Sequence, residues 1–365
     1  MNKNKLALFV ALAGMVSAPA FAQKIEVPEL DVRVYGAISI AIMHSDTGNG
    51  SEQYIVDNDY ASTRVGGVIS TELPDTGLRV GGHLEWEYQH NPSDLVTPEN
   101  RSIKGEFNER IISLFVEGAY GKLTVGQGSG AADGATEVDL SGTKVASSAD
   151  LALGGGALPF VEKSGGASPT VKQSIRNQDF ESRYDRLRYD SPKFGPVSVA
   201  VSQGYKGEQD ITELAVSYSG NIDGLGRLSA SAGYSTKDVG GTTGDQETIG
   251  GSVSWLHDTG INLGVAYSNT ENDDGRDSDF NMFKIGYKTG KHAFTVHRAQ
   301  GKDFNPVVGD VVIFGSDVKV YGTAYVYRPI KRLETYAVYN NFSLDADSGH
   351  FDDVHVVMVG SRLSF

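Results

Sequence analysis

The chain has 365 residues and a formal net charge of −14, from 46 acidic and 32 basic side chains. This acidic balance argues against binding to nucleic acids, because those ligands require a basic stripe on the protein surface. Cysteine is absent, which excludes both a disulfide framework and a thiolate metal site.

The first 22 residues are predicted to be a secretory signal peptide. They combine a basic start at Lys3 and Lys5, an apolar stretch over residues 6–17 and the letters AFA at 20–22, which is the pattern of a cleavable export signal. Cleavage would remove two positive charges and shift the net charge from −14 to about −16. No run of about 18 apolar residues follows, so no transmembrane helix is predicted.

The segments that follow alternate between apolar and polar residues with a period of two. This pattern predicts strands with two different faces and does not fit a helix. In "DVRVYGAISIAIM", for example, Val32, Val34 and Ile38 share one face with later isoleucines. The chain also ends on such a stretch, "VHVVMVGSRLSF". A strand that runs to the last residue needs another strand to pair with it.

Sixteen strands are predicted in this way, each roughly the length that a tilted strand needs to cross a membrane. They span 31–44, 61–73, 77–90, 107–118, 121–130, 181–191, 196–205, 209–219, 225–236, 246–257, 260–271, 279–289, 291–300, 316–328, 331–343 and 353–365.

The connections between the predicted strands alternate in length. Those after even-numbered strands are short, whereas those after odd-numbered strands are mostly long and acidic, as over 91–106 and 301–315. Short turns on one rim and long loops on the other are typical of outer-membrane barrels. In a closed barrel the last strand pairs with the first, so the C-terminal strand has its partner and no edge remains. A soluble exported β-sandwich is the alternative fold, although it does not explain why short and long connections alternate.

The whole mature chain, residues 23–365, resembles the general porins of Gram-negative bacteria. The motifs that carry the resemblance are "VRVYGAI", "STRVGGVISTEL" followed by "GLRVGGHLEWEY", "YGKLTVGQ", "RLRYDSPKFGPVSVAVSQGY" and the terminal Phe365. The resemblance implies an all-β fold: a 16-stranded antiparallel transmembrane β-barrel, usually a homotrimer, with a long third loop (131–180) folded into the lumen as a constriction. It also implies that Phe365 is a signal for the barrel-assembly machinery.

Two positions depart from the family pattern in a way that concerns charge. Gln127 stands where the family often has arginine, and Ala37 stands where it often has lysine. The third loop also lacks the PEFGG-like stretch of the family, with "ALPFVEK" in its place. The constriction is therefore expected to differ from that of other members and to carry less positive charge.

Charged side chains on the polar faces of strands and on the third loop are the candidate pore residues. The basic candidates are Arg64, Arg79, Arg110, Arg186 and Arg188, of which Arg110 lies in a stretch that is apolar on both faces. The acidic candidates on the third loop are Asp133, Glu137, Asp139 and Asp150. Opposed rows of charge in a narrow lumen would set which ions and solutes pass. The alternative interpretation is that each of these charged residues is an ordinary solvated side chain of the lumen wall or of a loop.

These features predict a channel in the outer membrane of a Gram-negative bacterium that passes ions and small hydrophilic solutes passively, with a modest preference for cations. A wide barrel needs no reaction chemistry, and neither a cofactor nor a metal site is expected. The expected partners are outer-membrane lipids and lipopolysaccharide, the assembly machinery and two further copies of the chain.

A substrate-selective channel and an outer-membrane adhesin or hydrolase are the alternative functions. The chain has no H-E-x-x-H, Walker or G-x-S-x-G motif. The letters "GQGSGA" at 126–131 match a dinucleotide fingerprint but lack the helix that this fingerprint requires. These observations disfavour an enzyme.

Overall fold

The computed structural model describes residues 29–240, 244–273 and 275–365. The predicted signal peptide lies outside these ranges. The strands of the first half are β1 (Asp31–Asp46), β2 (Ser51–Asp57), β3 (Arg64–Leu73), β4 (Leu78–Gln89), β5 (Glu106–Gly118), β6 (Gly121–Gly128), β7 (Tyr184–Asp190), β8 (Val197–Lys206), β9 (Gln209–Ile222) and β10 (Gly226–Gly240). Those of the second half are β11 (Gly244–Leu256), β12 (Ile261–Asn272), β13 (Asp277–Thr289), β14 (His292–Lys302), β15 (Val307–Val308), β16 (Val311–Val312), β17 (Asp317–Ile330), β18 (Leu333–Asp345) and β19 (Val354–Ser364). No helix among the described residues has the length and apolar character to span a bilayer.

All strands except β15 and β16 form one antiparallel sheet that closes on itself. The closing pair is β1 with β19, in a register that runs from Ala37 opposite Ser364 to Asp46 opposite His355. The backbone of Phe365 extends this pairing, because its N–H donates to the Gly36 carbonyl at 3.0 Å. The predicted pairing of the last strand with the first is confirmed.

The second stave of the barrel is split, which the alternation pattern did not reveal. Both β2 and β3 pair with β1, and a short 3-10 helix, Asp59–Ala61, interrupts them. The side chain of Asn58 accepts a hydrogen bond from the Tyr60 N–H and caps this helix. Counted with β2 and β3 as one stave, the barrel has the sixteen staves that the sequence predicts.

The outward face of the barrel is apolar, as the alternation predicts. In β1 the outward Val34 and Ile42 are 66% and 58% exposed, whereas the inward Met43 is fully buried. Phe365 also faces outward and is about half exposed. Its ring lies against Gly36, where an added Cβ would come within 2.4 Å of the ring, so glycine is required there for close packing.

The long third loop, residues 129–183 between β6 and β7, folds into the barrel, as predicted. Its apolar side chains are buried against the inner face of β12–β14 and β17–β19 in one cluster. The loop contributes Val145, Leu151, Leu158, Phe160, Val171 and Ile175, and the wall contributes Val318, Val320, Val338, Phe342, Val356 and Met358. Each fully buried side chain of this kind stabilises the docked loop by about 1.5–3 kcal/mol. One side of the lumen is therefore a packed core, and water-filled space is left on the other side.

Candidate functional site

A charged cavity of about 930 Å³ lies beside the third loop, at the long-loop end of the barrel. We call it the loop-side chamber. Its acidic lining residues are Asp59, Glu87, Asp94, Asp133, Glu137, Asp150, Asp179 and Glu181. Its basic lining residues are Arg64, Arg110, Arg176, Arg183, Lys206 and Lys237. The 3-10 helix between β2 and β3 and the loops after β4 and β6 supply most of the acids, and the barrel wall supplies most of the bases.

The wall arginines of the chamber belong to a compact cluster on β3–β5. The Arg110 guanidinium contacts Glu85 at 2.6 Å and Glu87 at 2.5 Å, and Arg64 lies 3.9 Å from Glu85. Glu85 also accepts a hydrogen bond from the Tyr35 hydroxyl at 2.6 Å. A register shift next to Glu85 accompanies the inward direction of Arg110, which the sequence left open. The charge of Arg110 is compensated locally, whereas that of Arg64 is only weakly paired.

Three of the four predicted loop acids line the chamber. Glu137 accepts a hydrogen bond from the Asn177 amide at 3.0 Å and pairs with Lys144 at 3.1 Å. Burial raises the pKa of Asp133. Burial also raises the pKa of Asp150 to about 6, although Arg176 lies 3.6 Å away. One carboxylate oxygen of Asp150 is buried without a hydrogen-bond partner among the described residues.

Asp139, the fourth predicted loop acid, does not line the chamber. Its carboxylate lies 2.9 Å from the Lys284 ammonium of β13, and the two side chains are 9% and 7% exposed. Lys284 also donates to the Ser147 carbonyl at 2.7 Å. The ion pair holds the pKa of Asp139 below its usual value, against the effect of burial. Asp139 therefore docks the loop on the wall and does not face the solute.

Arg186 and Arg188, predicted to line the pore, hold the start of the third loop, and Arg188 lies toward the short-turn end of β7. Arg186 donates to the Ser129 carbonyl at 3.0 Å, and Arg188 donates to the carbonyls of Ser129 and Gly130 while it pairs with Asp190 at 2.7 Å. Neither side chain lines the chamber.

Arg79, the remaining predicted arginine, lies at the opposite end of the lumen. It occupies the short-turn end of β4, and it approaches Asp31 at 3.7 Å and Glu117 at 3.8 Å. Of the five predicted arginines, the structure brings Arg64 and Arg110 to the chamber.

The return limb of the third loop carries chamber residues that the sequence interpretation missed. Asp179 accepts hydrogen bonds from the N–H groups of Gly134 at 2.6 Å and Thr136 at 2.9 Å. Burial, followed by the negative charges of Glu137 and Asp133, raises the pKa of Asp179 to about 8. Asp179 lies within the predicted loop 131–180 but was not among its acidic candidates, whereas Glu181 and Arg183 were assigned to the predicted strand 181–191. The run "NQDFESR" at 177–183 is the signal that could have identified the limb.

Glu181 and Glu213 fix that return limb to the wall. Glu181 pairs with Lys206 at 2.5 Å and Lys237 at 2.9 Å. Glu213 of β9 accepts hydrogen bonds from the N–H groups of Ala132 at 3.0 Å and Glu181 at 2.9 Å. Because these two N–H groups lie on the two limbs of the loop, one carboxylate joins both limbs at the base.

A serine, a histidine and an asparagine meet behind the loop in the order of a hydrolase triad. The Ser147 hydroxyl lies 3.2 Å from one ring nitrogen of His297, and the Asn340 amide oxygen lies 2.9 Å from the other. The three residues are 0%, 5% and 1% exposed, and none of them lines the chamber. The arrangement therefore docks the loop, because no substrate can reach the hydroxyl. The described residues also contain no group of three or more potential ligands arranged to hold a metal ion.

Comparison with known proteins identifies the family. A family model described as Gram-negative porin matches residues 7–347. The chain belongs to the Gram-negative porins. Its fold and family place this porin in the outer membrane, where it forms a channel. The predicted family, fold and location are confirmed.

Three solved structures with the same fold are each distant from this chain in sequence. The anion-selective porin from Comamonas acidovorans is 17% identical with a TM-score of 0.64, and the match covers 92% of this chain and all of that chain. OmpT, an outer membrane protein of Vibrio cholerae, is 16% identical with a TM-score of 0.59, over 94% of this chain and all of that chain. The outer membrane channel DcaP of Acinetobacter baumannii is 14% identical with a TM-score of 0.53, over 94% and 99% of the two chains. Curated protein sequences give no significant match.

Proposed function

We propose that this porin is a pore for passive diffusion of ions and small hydrophilic solutes, with a modest preference for cations. The observation that carries the proposal is the loop-side chamber, a polar cavity lined by charged side chains from the loops and the wall. Charged rings and constrictions of this kind govern which solutes pass through a pore. The catalytic motifs that a hydrolase would need are absent from the sequence, and the triad-like group is buried.

The preference for cations is supported by the chamber lining, where eight acidic side chains face six basic ones. It is not supported by the departures from the family pattern at Ala37 and Gln127, because neither residue lines the chamber. The structural relative from Comamonas acidovorans is anion-selective. At 17% identity, that likeness concerns the fold and leaves the sign of the selectivity to experiment.

The decisive measurement is the reversal potential of single channels in a planar bilayer across a KCl gradient. The wild type should favour K⁺ over Cl⁻. The double variant Asp133→Asn/Glu137→Gln removes two charges that face the chamber. Two unit charges about 8 Å from an ion in water contribute about 1 kcal/mol before screening, so we expect the permeability ratio to fall about twofold.

The matched control is Glu99→Gln/Glu208→Gln, which removes two exposed loop acids outside the chamber. It should leave the permeability ratio of the wild type unchanged. A reversal potential of zero, or one that favours Cl⁻, would refute the cation preference. Saturable block of the current by one solute would instead identify a substrate-selective channel.

We also propose that the protein assembles as a homotrimer. One structure of Vibrio cholerae OmpT with this fold is described as a trimer form, and the outward face of β1–β6 is broadly apolar. Unheated protein should migrate on a denaturing gel as a trimer and, after boiling, as a monomer of 39.0 kDa less any cleaved signal. Light scattering in mild detergent that gives a monomer mass would contradict the proposal.

A further inference from the structure

At its short-turn end the lumen wall carries more basic than acidic side chains, in contrast to the loop-side chamber. We call this region the short-turn vestibule and define it by the charged side chains of the strands there that point into the barrel, together with Lys291 of the turn between β13 and β14. Inward direction follows from the pleat: Lys288 is in phase with the inward Lys284, and Arg362 is in phase with the inward Met358. The basic members are Arg33, Arg79, Lys122, Arg188, Arg227, Lys288, Lys291, Arg328 and Arg362, and the acidic members are Asp31, Glu72, Glu117, Asp190 and Glu334.

The basic charge of the vestibule is concentrated below the docked loop. Glu334 is shared by Arg328 at 2.6 Å and Arg362 at 3.2 Å. Lys291 donates to the Pro329 carbonyl at 2.7 Å, and neither Lys288 nor Lys291 pairs with a described acid. With Asp258, which lines the same short-turn cavity as Lys288, this sector holds four cations and two anions.

The third loop lies directly over these cations. A Cβ added to Gly142, at the deepest turn of the loop, would come within 3.2 Å of an Arg328 nitrogen and 3.6 Å of the Lys288 side chain. An ion that passes the loop thus moves from the acidic chamber to the basic vestibule. The chamber lining carries eight acids and six bases, so a formal excess of negative charge remains when every base is set against an acid.

We propose that the pore is bipolar, with the acidic loop-side chamber in series with the basic short-turn vestibule, and that it therefore rectifies ionic current. The proposal rests on the proposed function, because it requires a pore that is open to ions. A single acidic constriction would favour cations but would not make the current depend on the sign of the voltage, as two opposed zones in series do.

The direction of rectification follows from the order of the two zones. When the loop side is positive, cations are driven in through the chamber that attracts them, and anions are driven in through the vestibule that attracts them. Both ions accumulate in the lumen and the conductance rises. The opposite polarity draws each ion out of its own zone and depletes the lumen. The effect requires wall fields that reach across the lumen, and the screening length is about 30 Å at 10 mM salt but about 3 Å at 1 M.

Single-channel currents of the full porin at equal and opposite voltages test the proposal. In about 10 mM KCl we expect the two currents to differ by about 1.5-fold or more, and in about 1 M KCl we expect them to be equal. Lys288→Gln/Lys291→Gln should reduce the asymmetry to less than half. Lys288→Glu/Lys291→Glu should abolish or invert it.

The matched control is Lys193→Gln/Lys331→Gln, which removes two positive charges from other short turns, outside the vestibule as defined, and should keep the asymmetry. Channels that conduct equally at both polarities in dilute salt would overturn the bipolar pore and leave the diffusion function standing. An asymmetry that persists in concentrated salt, or one that the control variant removes as well, would also overturn it. Absence of any conductance would overturn the diffusion function and the bipolar pore together.

Discussion

Replacing Lys284 with methionine is expected to release the third loop from the barrel wall. The substitution leaves the Asp139 carboxylate almost fully buried without its counter-charge. Loss of one partner from a buried ion pair costs about 3–5 kcal/mol. Amide hydrogen exchange measures the opening of the loop, and the protection of residues 140–160 should fall by about 10²- to 10³-fold. Single channels should show closures that the wild type lacks.

A second substitution distinguishes loss of the ion pair from general damage. Lys284→Met/Asp139→Leu replaces the whole pair by apolar side chains, which is often neutral for stability, and it should restore most of the protection. Lys163→Met breaks an exposed pair of the same loop, with Asp352 at 3.1 Å, and should cost less than about 1 kcal/mol. Equal loss of protection in the single and double variants would show that the pair does not dock the loop.

The barrel could be predicted from the sequence because each strand shows its own alternation of apolar and polar residues. The alternation in "DVRVYGAISIAIM" and "VHVVMVGSRLSF" fixes which residues face outward, and the parity of loop lengths fixes the architecture. The split of the second stave was missed, because residues 45–60 lay between the first two predicted strands and were assigned to a loop, although they contain β2 and the cap at Asn58.

The docking of the third loop was harder to predict than its inward direction. Val320, Val338 and Met358 face the lumen, where a water-filled pore would favour polar residues. The inward faces of these strands are largely apolar, and this pattern was the available signal that something covers the inner wall. It cannot reveal the partner, because the partner is a loop with no regular periodicity.

The candidate site was only partly predictable for the same reason. Alternation places Arg64 on the inward face, but it does not say how far along the barrel a residue lies or what it contacts. Asp139 and Glu137 are two positions apart and looked equivalent, although one pairs with Lys284 and the other lines the chamber. Such differences depend on the tertiary path of the loop.

The charge of the chamber should depend on pH across the neutral range. Burial and neighbouring carboxylates raise the pKa of Asp179 to about 8, and burial raises that of Asp150 to about 6. A carboxyl group is neutral below its pKa, so acidification from pH 9 to pH 5 removes first one negative charge and then a second. The pKa values of Asp59 and Asp133 are also raised, chiefly by burial, which adds to the change at the acidic end.

The other groups that face the chamber should not reverse this trend. No histidine is among the described lining residues of the chamber. Elsewhere on the third loop, hydrogen bonds from Ser164, Gly166 and His350 hold the pKa of Glu162 at about 2. Glu162 therefore stays ionised between pH 9 and pH 5, and its charge does not change with pH in this range.

Reversal potentials in a KCl gradient should therefore show a preference for cations that is greatest near pH 9 and declines in two steps toward pH 5. Two charges lost close to the ion path correspond to about a twofold fall in the permeability ratio, by the same estimate of about 1 kcal/mol before screening. Asp179→Asn keeps an oxygen to accept the hydrogen bonds from Gly134 and Thr136 but is neutral at every pH, so it should abolish the step near pH 8 alone. Asp150→Asn should abolish only the step near pH 6. A selectivity that is constant between pH 9 and pH 5 in the wild type would show that these carboxyl groups do not control the ions that pass the loop.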